Sequence, residues 1–197
     1  MKRLATTLLL LTIACGGENV SSSTPLSKTP VSIRGWIAEI VPPPEIEQSI
    51  DPTMRAQQQL ELLRETNMSV ENVPYASGGL GETGSFVILD APPGRVVVIF
   101  LVPGSTRESR LVLENIPPHA DVLIPGIVLH PDRVELPDPG AARVRLASGA
   151  KERREVPSKV TIAGQPVRLF EVPVSAMMDR RDYPSPAPRY QMIGVVK

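Results

Sequence analysis

The chain reads as a mainly β protein, a β-sandwich with Pro-rich loops, and three features of its 197 residues predict that class. Proline is abundant at 22 residues, roughly twice the usual share, which disfavours long helices. Apolar stretches are short, rich in valine and bounded by turn residues, as in Arg95–Val102 (RVVVIFLV). Aromatic residues are few, with one Trp, three Tyr and three Phe, so valine, leucine and isoleucine must supply the core.

The first strand is expected at Val31–Ile40, where Val31, Ile33, Gly35 and Ile37 alternate with Ser32, Arg34 and Trp36. Pro42-Pro43-Pro44 stops it, because proline cannot donate to a ladder. One short helix is predicted over residues 52–66. Asp51 is placed to cap it and Pro52 suits its first position. Ala56, Leu60 and Leu63 form a narrow apolar stripe, expected to lie on the sandwich.

A short strand falls between Asn67 and Tyr75, then Ala76–Gly84 carries four glycines and reads as a mobile loop. That loop lacks the lysine and the spacing of a phosphate-binding loop. Ser85–Asp90 (SFVILD) and Arg95–Val102 are strands on either side of an Ala91-Pro92-Pro93-Gly94 turn. Both are apolar on both faces, which predicts central strands covered on each side.

The pattern echoes 25 residues further on: with Phe86 set on Leu111, Asp90 meets Asn115 and the two Pro-Pro pairs align. Two similar strand–turn–strand units are therefore expected, with Val122–Ile124 in the second strand of the later one. Arg143 and Arg145 alternate with Val144 and Leu146, as on a half-exposed edge strand. Val160–Ile162 and Val167–Val172 flank Gly164-Gln165-Pro166 as a hairpin. Residues 176–197 form a Pro-rich C-terminal segment in which Met192–Val196 fits a last strand.

The N-terminus follows a different logic. Met1-Lys2-Arg3 is basic, Leu4–Ile13 is apolar, and Ala14-Cys15-Gly16-Gly17 follows at once. This is the three-part plan of a secretory signal. The apolar run is about half of the ~20 residues a spanning helix needs. With cysteine at the cut, it resembles the lipobox of bacterial lipoproteins. The resemblance implies that residues 1–14 are removed and that Cys15 receives a diacylglyceryl group. Gly16–Pro30 is polar and rich in serine and threonine, so residues 15–30 read as a flexible tether and 31–175 as the folded domain.

Cys15 is the only cysteine, so once acylated it leaves no thiol for a disulfide, a metal or nucleophilic catalysis. Loss of Lys2 and Arg3 with the signal leaves two more acids than bases, which is no footprint for nucleic acid or anionic lipid. The candidate chemistry is thin. His119 and His130 are the only histidines, each beside a proline with an aspartate two residues on, Asp121 and Asp132. A Ser/His/Asp set or a metal site needs convergent partners that the spacing does not announce. Glu39, Glu45, Glu47 and Asp51 cluster near the proline turn without an apolar setting to separate their pKa values. Arg180-Arg181-Asp182-Tyr183 has the residue types of a contact patch.

Gly84-Ser85-Phe86 through Pro92-Pro93-Gly94, with the first-strand glycine of Ile33-Arg34-Gly35-Trp36-Ile37, resembles the carboxypeptidase regulatory-like domain. The resemblance covers residues 31–103 and implies a transthyretin-like, Greek-key sandwich of the kind that folds, spaces or binds at bacterial surfaces. The expectation is therefore a lipid-anchored envelope protein, held through its N-terminus at the outer membrane and facing the periplasm or the cell surface. Its non-catalytic domain would bind an envelope protein or polymer, without cofactor or metal. An accessory lipoprotein subunit of a transport or secretion complex is the alternative, and an envelope hydrolase the third reading.

Overall fold

The computed structural model describes residues 29–44, 54–73 and 77–177. The signal and most of the tether, the Glu45–Asp51 acids, the Asp51-Pro52 start expected for the helix and residues 178–197 lie outside them. Among the described residues the chain forms β1 (Val31–Ile40), α1 (Arg55–Glu65), β2 (Asn67–Val70), β3 (Ser77–Leu80), β4 (Ser85–Ala91), β5 (Gly94–Leu101) and β6 (Ser109–Ile116). It continues through β7 (Asp121–Leu129), β8 (Val134–Glu135), β9 (Arg143–Ser148), β10 (Arg154–Val156), β11 (Thr161–Ile162), β12 (Gln165–Pro166), β13 (Arg168–Pro173) and α2 (Val174–Met177).

The strands make two sheets, as a β-sandwich does. An eight-stranded sheet runs β10-β13-β9-β7-β1-β4-β3, with β8 paired to β7. A five-stranded sheet runs β12-β11-β6-β5-β2. Two neighbouring pairs, β1–β7 and β9–β13, are parallel, which rules out a direct hairpin between them. In both cases the chain leaves the larger sheet, adds a hairpin to the smaller one (β5–β6 or β11–β12) and returns. Every such excursion ties the sheets together around one core. Ile33, Ile88, Val122 and Val144 enter it from the larger sheet; Val98, Phe100, Leu111 and Leu113 enter from the smaller. Phe86 and Phe100 meet edge to face across it at 5.7 Å.

The 25-residue echo has a structural meaning. Each copy is an arch between the sheets, β4 to β5 and β6 to β7. Asp90 (φ 60°) and Asn115 (φ 57°) occupy the same place before the Pro-Pro pair, both left-handed. Gly94 (φ 90°) and His119 (φ 57°) occupy the same place after it. Aspartate and asparagine tolerate this backbone better than most residues and glycine has no Cβ to clash, so three of the four positions carry suitable side chains. His119 is the exception.

β1 alternates as its sequence predicts, with Val31, Ile33 and Ile37 buried and Ser32, Arg34 and Trp36 half-buried. Other expectations need correction. Of the Ala56–Leu60–Leu63 stripe only Leu63 packs against the core: Ala56 is exposed and Leu60 is 48% exposed. Gln59 and Leu62, off that stripe, are the buried residues of α1. The Gln59 amide donates to the Ile40 carbonyl at 2.7 Å and accepts from the Ile40 N–H at 2.9 Å, so a polar side chain finishes the ladder of β1. The glycine loop contains an edge strand, because β4 offers a free edge and β3 pairs along it. Glycine is tolerated there, where no side chain is needed for packing. β4 is covered on one face only: Phe86 and Ile88 are buried, while Val87 and Leu89 are 40% and 43% exposed. β9 is an interior strand between β13 and β7, not an edge. Lastly, β11 pairs with β12 through a tight turn at Ala163-Gly164, and residues 168–173 cross to the other sheet instead of completing a hairpin.

Candidate functional site

The core faces of the strands are apolar; the polar interest lies on the opposite, outer face of the eight-stranded sheet. Parallel pairing sets Ser32 of β1 beside Asp121 of β7, and antiparallel pairing sets Asp121 beside Arg145 of β9. Arg34 lies one step along the same face of β1. Asp121 and Arg145 are 4% and 2% exposed. Arg145 donates to Asp121 Oδ2 from both Nε, at 3.1 Å, and Nη2. Arg34 Nε stands 3.8 Å from Asp121 Oδ1. Nothing local in the sequence signals this pair, since the alternation of β9 is that of an edge strand and Arg145 is 24 residues from Asp121.

A cleft of about 380 Å³ opens at this end of the face, where β1 begins and both arches turn. Ser32, Arg34, Asp90, His119, Asp121 and Met177 contribute to its walls. It holds two of the non-glycine residues with left-handed backbone, Asp90 and His119. A volume of this order is enough for a small ligand or a few extended residues. A second, larger hollow of about 510 Å³ lies at the end of β9, walled by Ser148, Glu152, Arg153, Arg154 and Glu171. There Arg154 donates to Glu171 at 2.6 Å, and Arg153 stacks over the Phe170 ring at 3.8 Å.

The first cleft brings a serine, a histidine and aspartates together, and no sequence motif marks Ser32 for it. Their links are not those of a nucleophilic relay. Ser32 Oγ is buried with no hydrogen-bond partner, so no base is set against it. Asp121 is engaged by a guanidinium rather than by an imidazole. His130 stands at the far end of β7 from His119, about 30 Å away at ~3.3 Å per residue of strand. It contacts Glu135 at 3.0 Å, and its carbonyl accepts from Ser109 Oγ. The two histidines therefore do not converge. Asp132 is exposed beside Arg107 and Arg133. Glu39 is exposed on β1. Glu45, Glu47, Asp51, Cys15 and Arg180–Tyr183 lie outside the described residues. Among the described residues no three His, Cys, Asp or Glu side chains are grouped to hold a metal ion, and no helix is long and apolar enough to cross a membrane.

Comparison with known protein families, with curated proteins and with solved structures finds no match to this chain.

Proposed function

We propose that the chain is a lipid-anchored protein of a bacterial envelope whose β-sandwich binds or spaces rather than catalyses. The observation that carries this reading is the N-terminal order of Lys2-Arg3, an uncharged apolar run and Ala14-Cys15. The sandwich begins at Val31, so the tether between it and Cys15 spans about 2 nm at roughly 5–6 Å × √n. More than one acyl chain is needed for stable anchoring, and a lipidated cysteine of this kind supplies more than one. The carboxypeptidase regulatory-like resemblance belongs to the same proposal. It is supported by its two glycines, since Gly35 makes room for Phe86 and Gly84 takes a left-handed turn (φ 81°) against Ile37.

The test is Cys15→Ala in cells fed labelled fatty acid. The wild-type chain takes up label and enters the detergent phase, and the mutant does neither. A mutant that remains membrane-bound to the same extent overturns the anchor. The full wild-type chain is also expected to show no turnover on ester, peptide or glycan substrates, and measurable turnover would favour the hydrolase reading.

One observation favours the accessory-subunit reading. α1 docks through Gln59, Leu62 and Leu63 and leaves Ala56 and Leu60, four residues apart on one side of the helix, exposed, apolar side chains of a kind that suits a partner. A stoichiometric partner recovered with the wild-type chain and lost on Leu60→Asp would support it.

A further inference from the structure

We propose that the cleft at the start of β1 binds a small ligand through a primary ammonium group, held by the Asp90 carboxylate and the His119 imidazole. The inference deepens the binding reading above and is independent of the lipid anchor.

The two arches show which side chains the fold itself requires. Before the Pro-Pro pair each arch needs a residue that tolerates a left-handed backbone, and Asp90 and Asn115 both meet that need. Asn115 also serves the structure, since its amide donates to the Lys159 carbonyl at 3.0 Å. Among the described residues the Asp90 carboxylate has no hydrogen-bond or ion-pair partner. After the pair, one arch uses Gly94 and the other His119, whose imidazole is likewise without a partner among the described residues. Each arch thus carries one side chain beyond what its turn demands. Those two side chains meet in the wall of the same cleft.

A β-bulge brings the first of them there. Val31 pairs with Ala91 and Ile33 with Ile88, so Leu89 and Asp90 together oppose Ser32 alone. A bulge of this kind re-aims a side chain. Ser32 is in turn the register partner of Asp121 on β7, two residues beyond His119. The bulge and the second arch therefore lie about two strand spacings apart, roughly 10 Å at ~4.8 Å each. Asp121 is bonded by Arg145 and stands 3.8 Å from Arg34, so those charges answer one another. Asp90 is the acid of the cleft whose charge is not answered. An ammonium group supplies the complement: a positive charge and three donors, set against a carboxylate and the acceptor nitrogen of a neutral imidazole. Pro30, Leu89 and Met177 line the same cleft and offer an apolar surface to the ligand's stem. The volume of about 380 Å³ is of the size that holds a small molecule.

Butylammonium is the probe, titrated into the nitrogen-labelled full chain and followed by amide NMR. The amides of Leu89, Asp90, His119, Ala120 and Asp121 should shift and saturate together. Butyrate and butanol, with the same stem, should bind at least fivefold more weakly. Asp90→Asn places asparagine where the other arch already carries it, and it should weaken butylammonium at least fivefold. The absence of a saturable shift at these amides, equal binding of butanol, or unchanged binding by Asp90→Asn would each overturn the proposal. If Asp90→Asn does not fold, the three probes on the wild-type chain decide. Nα-acetyl-lysine amide carries the same group on a peptide unit. Binding as tight as that of butylammonium assigns the cleft to a lysine side chain, and weaker binding assigns it to a free amine. A chain that takes none of these probes yet still recovers a partner overturns the ammonium site and leaves the binding reading intact.

Discussion

The ring of Phe86 stands where a side chain on Gly35 would have to be. The two are register partners on β4 and β1, and a Cβ built on Gly35 would lie 2.4 Å from Phe86 Cζ and 3.0 Å from the Ile124 carbonyl oxygen. Phe86 is held in turn against Phe100. Gly35→Ala should therefore destabilise the domain by about 1–3 kcal/mol through overpacking. Phe86→Leu in the same chain should recover part of that loss. Urea unfolding of the two single variants and the double variant measures it, and a Gly35→Ala chain as stable as wild type would refute the packing described.

The buried Asp121–Arg145 pair makes a second prediction. Asp121→Asn leaves the Arg145 guanidinium, 2% exposed, without its counter-charge. Breaking one side of a buried pair costs about 3–5 kcal/mol. Asp121→Leu with Arg145→Met removes both charges and should cost much less. If the single and double replacements prove equally damaging, the pair is not what the face depends on.

On α1 the residues separate cleanly. Leu62→Ala should cost about 2–5 kcal/mol, the range for a buried leucine. Gln59→Ala should cost about 1–3 kcal/mol, because the N–H and C=O of Ile40 lose their partners. Leu60→Ala should change stability by less than about 0.5 kcal/mol, as at other exposed sites. A large loss at Leu60 would mean that the helix docks on its other side.

The two arches predict opposite responses at equivalent places. Gly94→Ala puts a Cβ on a backbone with φ 90° and should cost about 1–2 kcal/mol. His119→Gly relieves a left-handed histidine and should be neutral or stabilising, after allowance for the freer unfolded chain. Thermal unfolding of both variants is sufficient, and a destabilised His119→Gly chain would show that the imidazole makes contacts the cleft needs.

Glu155 and Arg168 form an exposed pair on β10 and β13, joined at 2.5 Å. The hydrogen bond from Arg168 holds the Glu155 carboxyl below the usual glutamate range, desolvation opposes it, and the charges of Arg168 and Arg153 add to the lowering. The Arg168 guanidinium is shifted upward by the same bond and stays charged throughout. A carboxylate with a lowered folded-state pKa contributes stability that is fully present at neutral pH and is lost as pH falls through that lowered value. The contribution is small because solvent screens the pair. An NMR titration should place the Glu155 midpoint below that of an unpaired glutamate, and Arg168→Gln should raise it; an unchanged midpoint would argue against the contact in solution.

Much of this architecture was legible in the chain itself. Alternation along Val31–Ile40 set which face of β1 enters the core, and the Pro-Pro turns marked the ends of β4 and β6, because period-two burial and missing donors are local properties. The echo between residues 86–93 and 111–118 was visible as text, and its backbone meaning follows from residue types suited to a left-handed turn. Tertiary structure decided what depends on distant neighbours. Arg145 reads as an exposed edge residue until β13 and β7 close on both sides of β9, and only then does Asp121 become its partner. Gln59 is buried instead of Leu60 because the open end of β1 needs a donor and an acceptor at that point, a demand made by the sheet and invisible in a helical stripe. The glycine-rich stretch became β3 because β4 had an unpaired edge to offer. In each case the deciding term was satisfaction of backbone or charge by a group far away in the chain, which no local periodicity encodes.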